Sequence, residues 1–128
     1  MEQLLHYVWK HKIFPLSALQ TTSGRPVEVI DPGLPNMNAG PDFFNAKLKI
    51  DGTLWVGNVE VHTQASDWLL HRHDCDKAYD TVILHVVGES NCDVYRTNGE
   101  LVPQMVLTCP DTVRLRYEEL RQTEIYPP

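Results

Sequence analysis

Several features that would assign this sequence to a class of protein are missing from it. Its 128 residues contain no apolar run near the ~18 residues of a membrane span, and its start has no signal-peptide core. The three cysteines are widely spaced, without the Cys-x-x-Cys pattern of a metal knuckle. We therefore predict a cytoplasmic protein with reduced thiols and no membrane partner.

Sequence motifs of several enzyme classes are absent too. There is no P-loop, no Gly-x-Gly-x-x-Gly turn and no serine nucleophile elbow, which argues against NTP hydrolysis, dinucleotide binding and acyl transfer. The net charge is −6, without any block of like charges, so a nucleic-acid partner would need a local basic patch. With 42% hydrophobic residues the chain can bury one core, and we expect residues 1–128 to form a single domain.

Hydrophobic periodicity predicts a mixed α+β fold with a helix at each end of the sequence. Apolar residues at helical spacing in EQLLHYVWKHKIF predict a helix over about 2–12. The segment DTVRLRYEELRQTEI predicts a second helix, begun by a cap at Asp111 or Thr112. The segment between them reads as strands, so we expect a mixed sheet with flanking helices.

Alternation and turn residues predict six strands between these helices. They are, in chain order, RPVEVID, FFNAKLKI, TLWVGNVEVHT, TVILHVV, CDVYRT and PQMVLTC. Asp51-Gly52 predicts a hairpin turn between the second and third strands, and Asn98-Gly99 predicts another between the fifth and sixth. The fourth strand is an unbroken apolar run, which predicts burial on both faces.

A row of polar residues interrupts the apolar pattern of the first hairpin. Alternation puts Asn58, Glu60, His62 and Gln64 on one face of their strand. Asp42 enters the preceding strand, and burying a carboxylate costs solvation free energy unless it finds partners. Asp42 is then either a turn carboxylate and Glu60 an exposed strand residue, or the two belong to a polar site.

The register of the hairpin decides whether Asp42 joins Glu60. A two-residue turn at Asp51-Gly52 places Asp42 on the face opposite Glu60. A one-residue bulge, at the turn or nearer Asn58, places Asp42 directly across from Glu60. The sequence leaves both registers open.

If Asp42 and Glu60 meet, their mutual repulsion favours a shared divalent cation. We expect Mg²⁺ or Mn²⁺, held by these two carboxylates. His62 would orient or deprotonate a metal-bound water, or would itself be a ligand, which favours Mn²⁺ or Zn²⁺. His85 either faces this site or is a core histidine bonded to a backbone carbonyl.

A second cluster of potential ligands lies in the segment HRHDCDK. It brings His71 and His73 close to Asp74, Cys75 and Asp76. These residue types bind Zn²⁺ and other transition metals. The alternative is a solvated polar connector, and the sequence does not choose between them.

The residues Pro41-Asp42, followed after a hairpin by Glu60-Val61-His62, resemble the PD-(D/E)xK nuclease signature, with histidine in place of the lysine. The resemblance implies a restriction-endonuclease-like mixed sheet with flanking helices, and nucleic acid as the partner. It implies that Asp42 and Glu60 bind the metal and that His62 takes the place of the catalytic lysine. Gln64 matches a glutamine that follows the lysine in some members.

A longer stretch, NAGPDFFNAKLKIDGTLWVGNVEVH with SDW and AYDTVILHVV after it, is similar to an uncharacterised family of bacterial proteins of unknown function. Members of that family are longer, which implies that this chain is an N-terminal piece or a short member. Two hypotheses follow. The protein is a metal-dependent phosphodiesterase or nuclease, or a degenerate relative that still binds nucleic acid. Alternatively it is a non-catalytic binding or assembly module that docks onto the remainder of a longer protein.

Overall fold

A computed structural model describes residues 1–14 and 18–125, with side chains as far as Leu120. The helices and strands, in chain order, are α1 (Glu2–Lys10), β1 (Val27–Asp31), β2 (Leu34–Pro35), β3 (Phe43–Ile50), β4 (Thr53–Gln64), α2 (Asp67–Leu70), β5 (Val82–Glu89), β6 (Gln104–Val106) and α3 (Asp111–Ile125). This is the predicted mixed α+β fold, with the two predicted helices at its ends. Among the described helices, none is long and apolar enough to cross a membrane.

The strands form one mixed sheet of six strands. The order is β1-β3-β4-β5-β6, and β2 also pairs with β3. The pairs among β1, β2, β3 and β4 are antiparallel, whereas β4–β5 and β5–β6 are parallel. A parallel pair needs a crossover connection. Residues 65–81 make that crossover with α2 and two short 3₁₀ turns, His73–Cys75 and Lys77–Tyr79.

Helix α1 covers one face of the sheet centre. Its buried residues are Leu4, Leu5, Val8 and Trp9, and they share a core cluster with apolar residues of β4 and β5. The Trp9 ring nitrogen donates to the Pro32 carbonyl at 2.9 Å, so this tryptophan is satisfied as well as buried.

A smaller apolar cluster is separate from this core. It consists of Trp68, Val82, Val94 and Val102. Strand β5 contributes residues to both clusters and is buried from Val82 to Val87. This confirms the prediction from its unbroken apolar run.

The β3–β4 hairpin has the two-residue turn, and its register shifts further along. Ile50 pairs with Thr53 across the turn, but Phe43 pairs with Val59, one residue out of that register. The irregularity lies at Asn45, whose φ of +57° is in the left-handed region. Its N–H leaves the ladder and donates to the side-chain oxygen of Asn58 at 3.2 Å. Of the two registers left open by the sequence, the bulged one is therefore present.

The segment after β5 differs from the prediction. The turn at Asn98-Gly99 is present, but only an isolated antiparallel bridge flanks it. The predicted strand PQMVLTC instead contributes β6, which pairs parallel with β5. The side chain of Arg96 explains part of the difference, because its guanidinium donates to the carbonyls of Asp80 and Val82 at 3.1 and 2.7 Å. The conformation of this segment therefore depends on these carbonyl contacts and on the burial of Val94, and not on a regular ladder of strand hydrogen bonds.

The bulge yields a test of the fold. Asn45→Val should destabilise the protein by about 1–2 kcal/mol, because a β-branched residue resists positive φ. Asn45→Gly removes the same amide but tolerates that φ, so it serves as the matched control. Urea unfolding of both variants measures the difference. Equal stability of the two variants would contradict a bulge at this residue.

Candidate metal centre

The bulge brings the carboxylates of Asp42 and Glu60 together through reciprocal bonds. The Asp42 N–H donates to Glu60 Oε1 at 3.0 Å. The Val61 N–H donates to Asp42 Oδ2 at 2.8 Å. Each carboxylate thus accepts a backbone N–H from the segment that carries the other carboxylate. The meeting of Asp42 with Glu60, which the sequence left open, is therefore present.

Glu60 is buried, and two histidine ring nitrogens lie close to its carboxylate. Its Oε2 lies 2.8 Å from His73 Nε2 and 3.2 Å from His62 Nε2. The side chains of all three residues are at most 7% exposed. Glu60 belongs to β4, and His73 comes from the crossover that passes over this face of the sheet.

A chain of hydrogen bonds continues from His62 into the sheet. His62 Nδ1 lies 2.7 Å from His85 Nε2 on the parallel neighbour strand. His85 Nδ1 lies 2.8 Å from Gln104 Oε1 on the next strand, β6. Glu60 and His85 are register partners, so the network follows the sheet across three adjacent strands.

A trio of histidine nitrogens lies beside Glu60. One ring nitrogen from each of His62, His71 and His73 lies within 4.8 Å of the others. His62 and His73 are buried, while His71 is exposed. His73 stacks on the Tyr79 ring with centroids 3.6 Å apart. Its Nδ1 is buried without a hydrogen-bond partner in the described part of the chain.

The charges of the two carboxylates are unequal. Burial, then the charge and hydrogen bond of Glu60, raise the pKa of Asp42 to about 8. Burial also acts to raise the pKa of Glu60, but hydrogen bonds from His62, His73 and Asp42 outweigh it and lower that pKa. Near neutral pH the pair therefore carries one proton, on Asp42, and one negative charge, on Glu60.

Most of the predicted site residues are brought together. Asp42, Glu60, His62 and His85 form one hydrogen-bonded cluster. Gln64 lies outside it, because it is two residues further along β4, where its amide donates to Glu89 Oε2 at 3.2 Å. The suggested glutamine of the nuclease signature therefore bonds to Glu89 and is not part of the hydrogen-bonded cluster.

The second predicted ligand group is only partly assembled. His71 and His73 do join a histidine trio, with His62 as their third member. Cys75 is exposed and outside the trio. The Asp76 side chain accepts from the Ala78 N–H at 2.9 Å and caps a 3₁₀ turn instead.

Two residues of the cluster were not predicted. His6, on α1, has its Nε2 3.5 Å from Asp42 Oδ2, and burial lowers its pKa. The signal available in the sequence was a histidine next to the apolar stripe of a predicted helix. Gln104 was assigned to a strand without a role, although a lone amide in the apolar segment PQMVLTC needs partners when buried.

Fold and site together define a mixed α+β protein with a buried carboxylate and a histidine trio that could hold a metal ion. The chain belongs to the family described as Protein of unknown function (DUF2851), whose model matches residues 2–128. This confirms the resemblance to an uncharacterised family. No curated protein and no solved structure matches the chain, and the restriction-endonuclease likeness stays a prediction.

The raised pKa of Asp42 gives a pH test. A carboxyl whose pKa rises on folding, here from 3.8 to about 8, stabilises the fold fully below about pH 4. That stabilisation is lost as the pH rises through 8. The metal-free wild type should therefore lose at least about 1 kcal/mol relative to Asp42→Asn between about pH 5 and pH 9. The measurement is urea unfolding with EDTA present, and parallel pH profiles of the two proteins would contradict it.

Proposed function

We propose that this protein is a metal-dependent phosphodiester hydrolase of the nuclease kind, with its metal held at Asp42, Glu60 and the histidine trio. The observation that carries the proposal is that Glu60, hydrogen-bonded to Asp42, lies against two members of a histidine trio. Oxygen and imidazole donors in one cluster are a common ligand set for divalent ions.

The contacts around Glu60 fit an ion. Two donors that share a tetrahedral zinc-like ion at ~2.1 Å lie roughly 3.4 Å apart. Glu60 Oε2 and His62 Nε2 are 3.2 Å apart. This spacing suits a shared ion as well as it suits a shared proton.

The contacts of His73 fit an ion too. Its Nε2 faces a carboxylate at 2.8 Å, and its Nδ1 has no partner among the described residues. An ion shared by Glu60 Oε2 and His62 Nε2 would lie on the Nε2 side of the His73 ring, because the two ring nitrogens point away from each other. We therefore assign His73 Nε2 to the metal, with the ring proton on Nδ1.

The ligand set decides which ion we propose. Mg²⁺ prefers oxygen donors and keeps several waters. Imidazole nitrogens shift the preference toward first-row transition ions. We therefore favour Mn²⁺ or Zn²⁺ over Mg²⁺ as the ion.

The residues of the site have different roles in the proposed reaction. Glu60 supplies the negative charge that holds the cation, and Asp42 adds a second negative charge when the ion displaces its proton. His71, as the exposed member of the trio, lies on the side from which a phosphodiester can approach. Asp42 is also partly open, with a quarter of its side chain exposed. A bound divalent ion supplies charge stabilisation at the phosphoryl oxygen and a lower pKa for its water.

The proposal is tested first by metal binding. Glu60→Gln should weaken Mn²⁺ binding by more than about tenfold, because it removes the buried anion but keeps the size of the side chain. The matched control is Glu28→Gln, which removes an exposed carboxylate on β1 of the same sheet. Isothermal titration of both variants and the wild type, with Mn²⁺ and Mg²⁺ in turn, gives the affinities. A folded wild type that binds neither ion would overturn the metal centre.

Cleavage is tested on the same proteins. The wild type with Mn²⁺ should cut single- or double-stranded DNA or RNA, and Glu60→Gln should be at least about a hundredfold slower. Glu28→Gln should cut at the wild-type rate. Metal binding without cleavage of any of these substrates would remove the hydrolase and leave a metal-binding protein.

A non-catalytic binding module remains the second candidate, and one observation favours it. Leu54 and Val56 share one face of β4 near its hairpin end and are 53% and 59% exposed, and Trp55 on the opposite face is 49% exposed. Large apolar side chains exposed next to each other on one face mark interaction surfaces. Absence of metal binding and cleavage in a stable wild type would favour this module.

A further inference from the structure

The amide of Gln104 has a fixed orientation. Its Nε2 lies 3.0 Å from the carbonyl oxygen of Cys92 and 2.8 Å from Ser90 Oγ. Because a carbonyl can only accept, the amide nitrogen must be the atom that faces it. The amide oxygen is then the atom at 2.8 Å from His85 Nδ1.

The orientation of Gln104 determines the proton position on His85. An amide oxygen only accepts, so His85 Nδ1 must carry a proton and donate it. The ring is fully buried beside Trp68, and its hydrogen-bond partners are Gln104 and His62. A buried imidazole with no carboxylate bonded to it is neutral. His85 Nε2 therefore keeps its lone pair.

The proton position on His85 in turn determines the proton position on His62. His62 Nδ1 lies 2.7 Å from the lone pair on His85 Nε2, so it must donate its proton there. The other nitrogen, Nε2, faces Glu60 Oε2 at 3.2 Å. A lone pair and a carboxylate oxygen repel each other at that distance unless a proton or a metal ion lies between them.

We infer that Gln104 and His85 are positioning residues, which hold the proton of His62 on Nδ1 and thereby reserve Nε2 for a cation next to Glu60. The purpose of this arrangement rests on the proposed metal centre. The proton positions rest only on the hydrogen bonds, so the two can be tested apart.

The test is ¹⁵N NMR of the histidine side chains, with the His62 signals identified by their loss in His62→Gln. In the metal-free wild type near neutral pH, His62 Nδ1 should be protonated. Addition of Zn²⁺, a diamagnetic probe, should shift Nε2 to a metal-bound position and leave the proton on Nδ1. A neutral His62 with its proton on Nε2 would overturn the inference without any variant.

A variant separates positioning from mere packing. Gln104→Leu keeps the volume but removes the acceptor, so the Nδ1 preference of His62 should be lost and Zn²⁺ affinity should fall about tenfold. Ser90→Ala is the control, because it removes one bond of Gln104 on the side away from His85 and should change neither readout. A folded Gln104→Leu protein with an unchanged His62 tautomer and affinity would overturn the inference.

Failure of the metal centre would look different. If the Nδ1 proton of His62 is found in the metal-free protein but Zn²⁺ does not bind, the positioning by Gln104 and His85 stands. The proposed function, which needs the ion, would then be wrong.

Discussion

A buried carboxylate must be surrounded by donors, and Glu60 imposes that requirement on the rest of the site. Its charge is removed from water on the central part of the sheet, where an unpartnered carboxylate would be strongly destabilising. Two separate parts of the chain meet the requirement, namely the Asp42 backbone N–H before β3 and His73 from the crossover, and His62 Nε2 lies beside the same carboxylate. One side chain therefore ties a hairpin and a parallel connection together, and it also creates the electrostatic environment in which Asp42 retains a proton.

Two irregular parts of the fold, the bulge at Asn45 and the crossover after β4, bring partners to the Glu60 carboxylate. Without the bulge at Asn45, Asp42 would lie on the opposite face, and its N–H would not reach Glu60. The parallel pairing of β4 with β5 needs a crossover over the same face, and this places His73 above Glu60. Bulges recur next to functional sites because they redirect a side chain without ending the sheet. Here a single left-handed residue decides whether Asp42 meets Glu60.

The part of the site within one strand was predictable, and the part made by tertiary contacts was not. Strand alternation alone put Glu60 and His62 on one face, and the turn at Asp51-Gly52 followed from its residue types. The bulge position depends on a bond from Asn45 to Asn58, which no local preference encodes. The contacts of His73 depend on the path of the crossover between β4 and β5, which no hydrophobic periodicity predicts. Likewise, the fold class followed from periodicity, while the pairing of β6 depended on packing.

Histidine at position 62 changes the character of the site under the proposed function. A lysine ammonium has three donors and no lone pair, so it supplies a permanent charge and cannot bind a metal. An imidazole whose Nδ1 is held as a donor by His85 presents one nitrogen that takes either a proton or an ion. The charge opposite Glu60 is then exchangeable, and metal binding is coupled to proton release. Because the hydrogen bonds to Asp42 and His85 do not involve that nitrogen, the exchange requires no change in strand pairing. The network that stabilises the sheet without a metal is therefore the one into which a metal can enter.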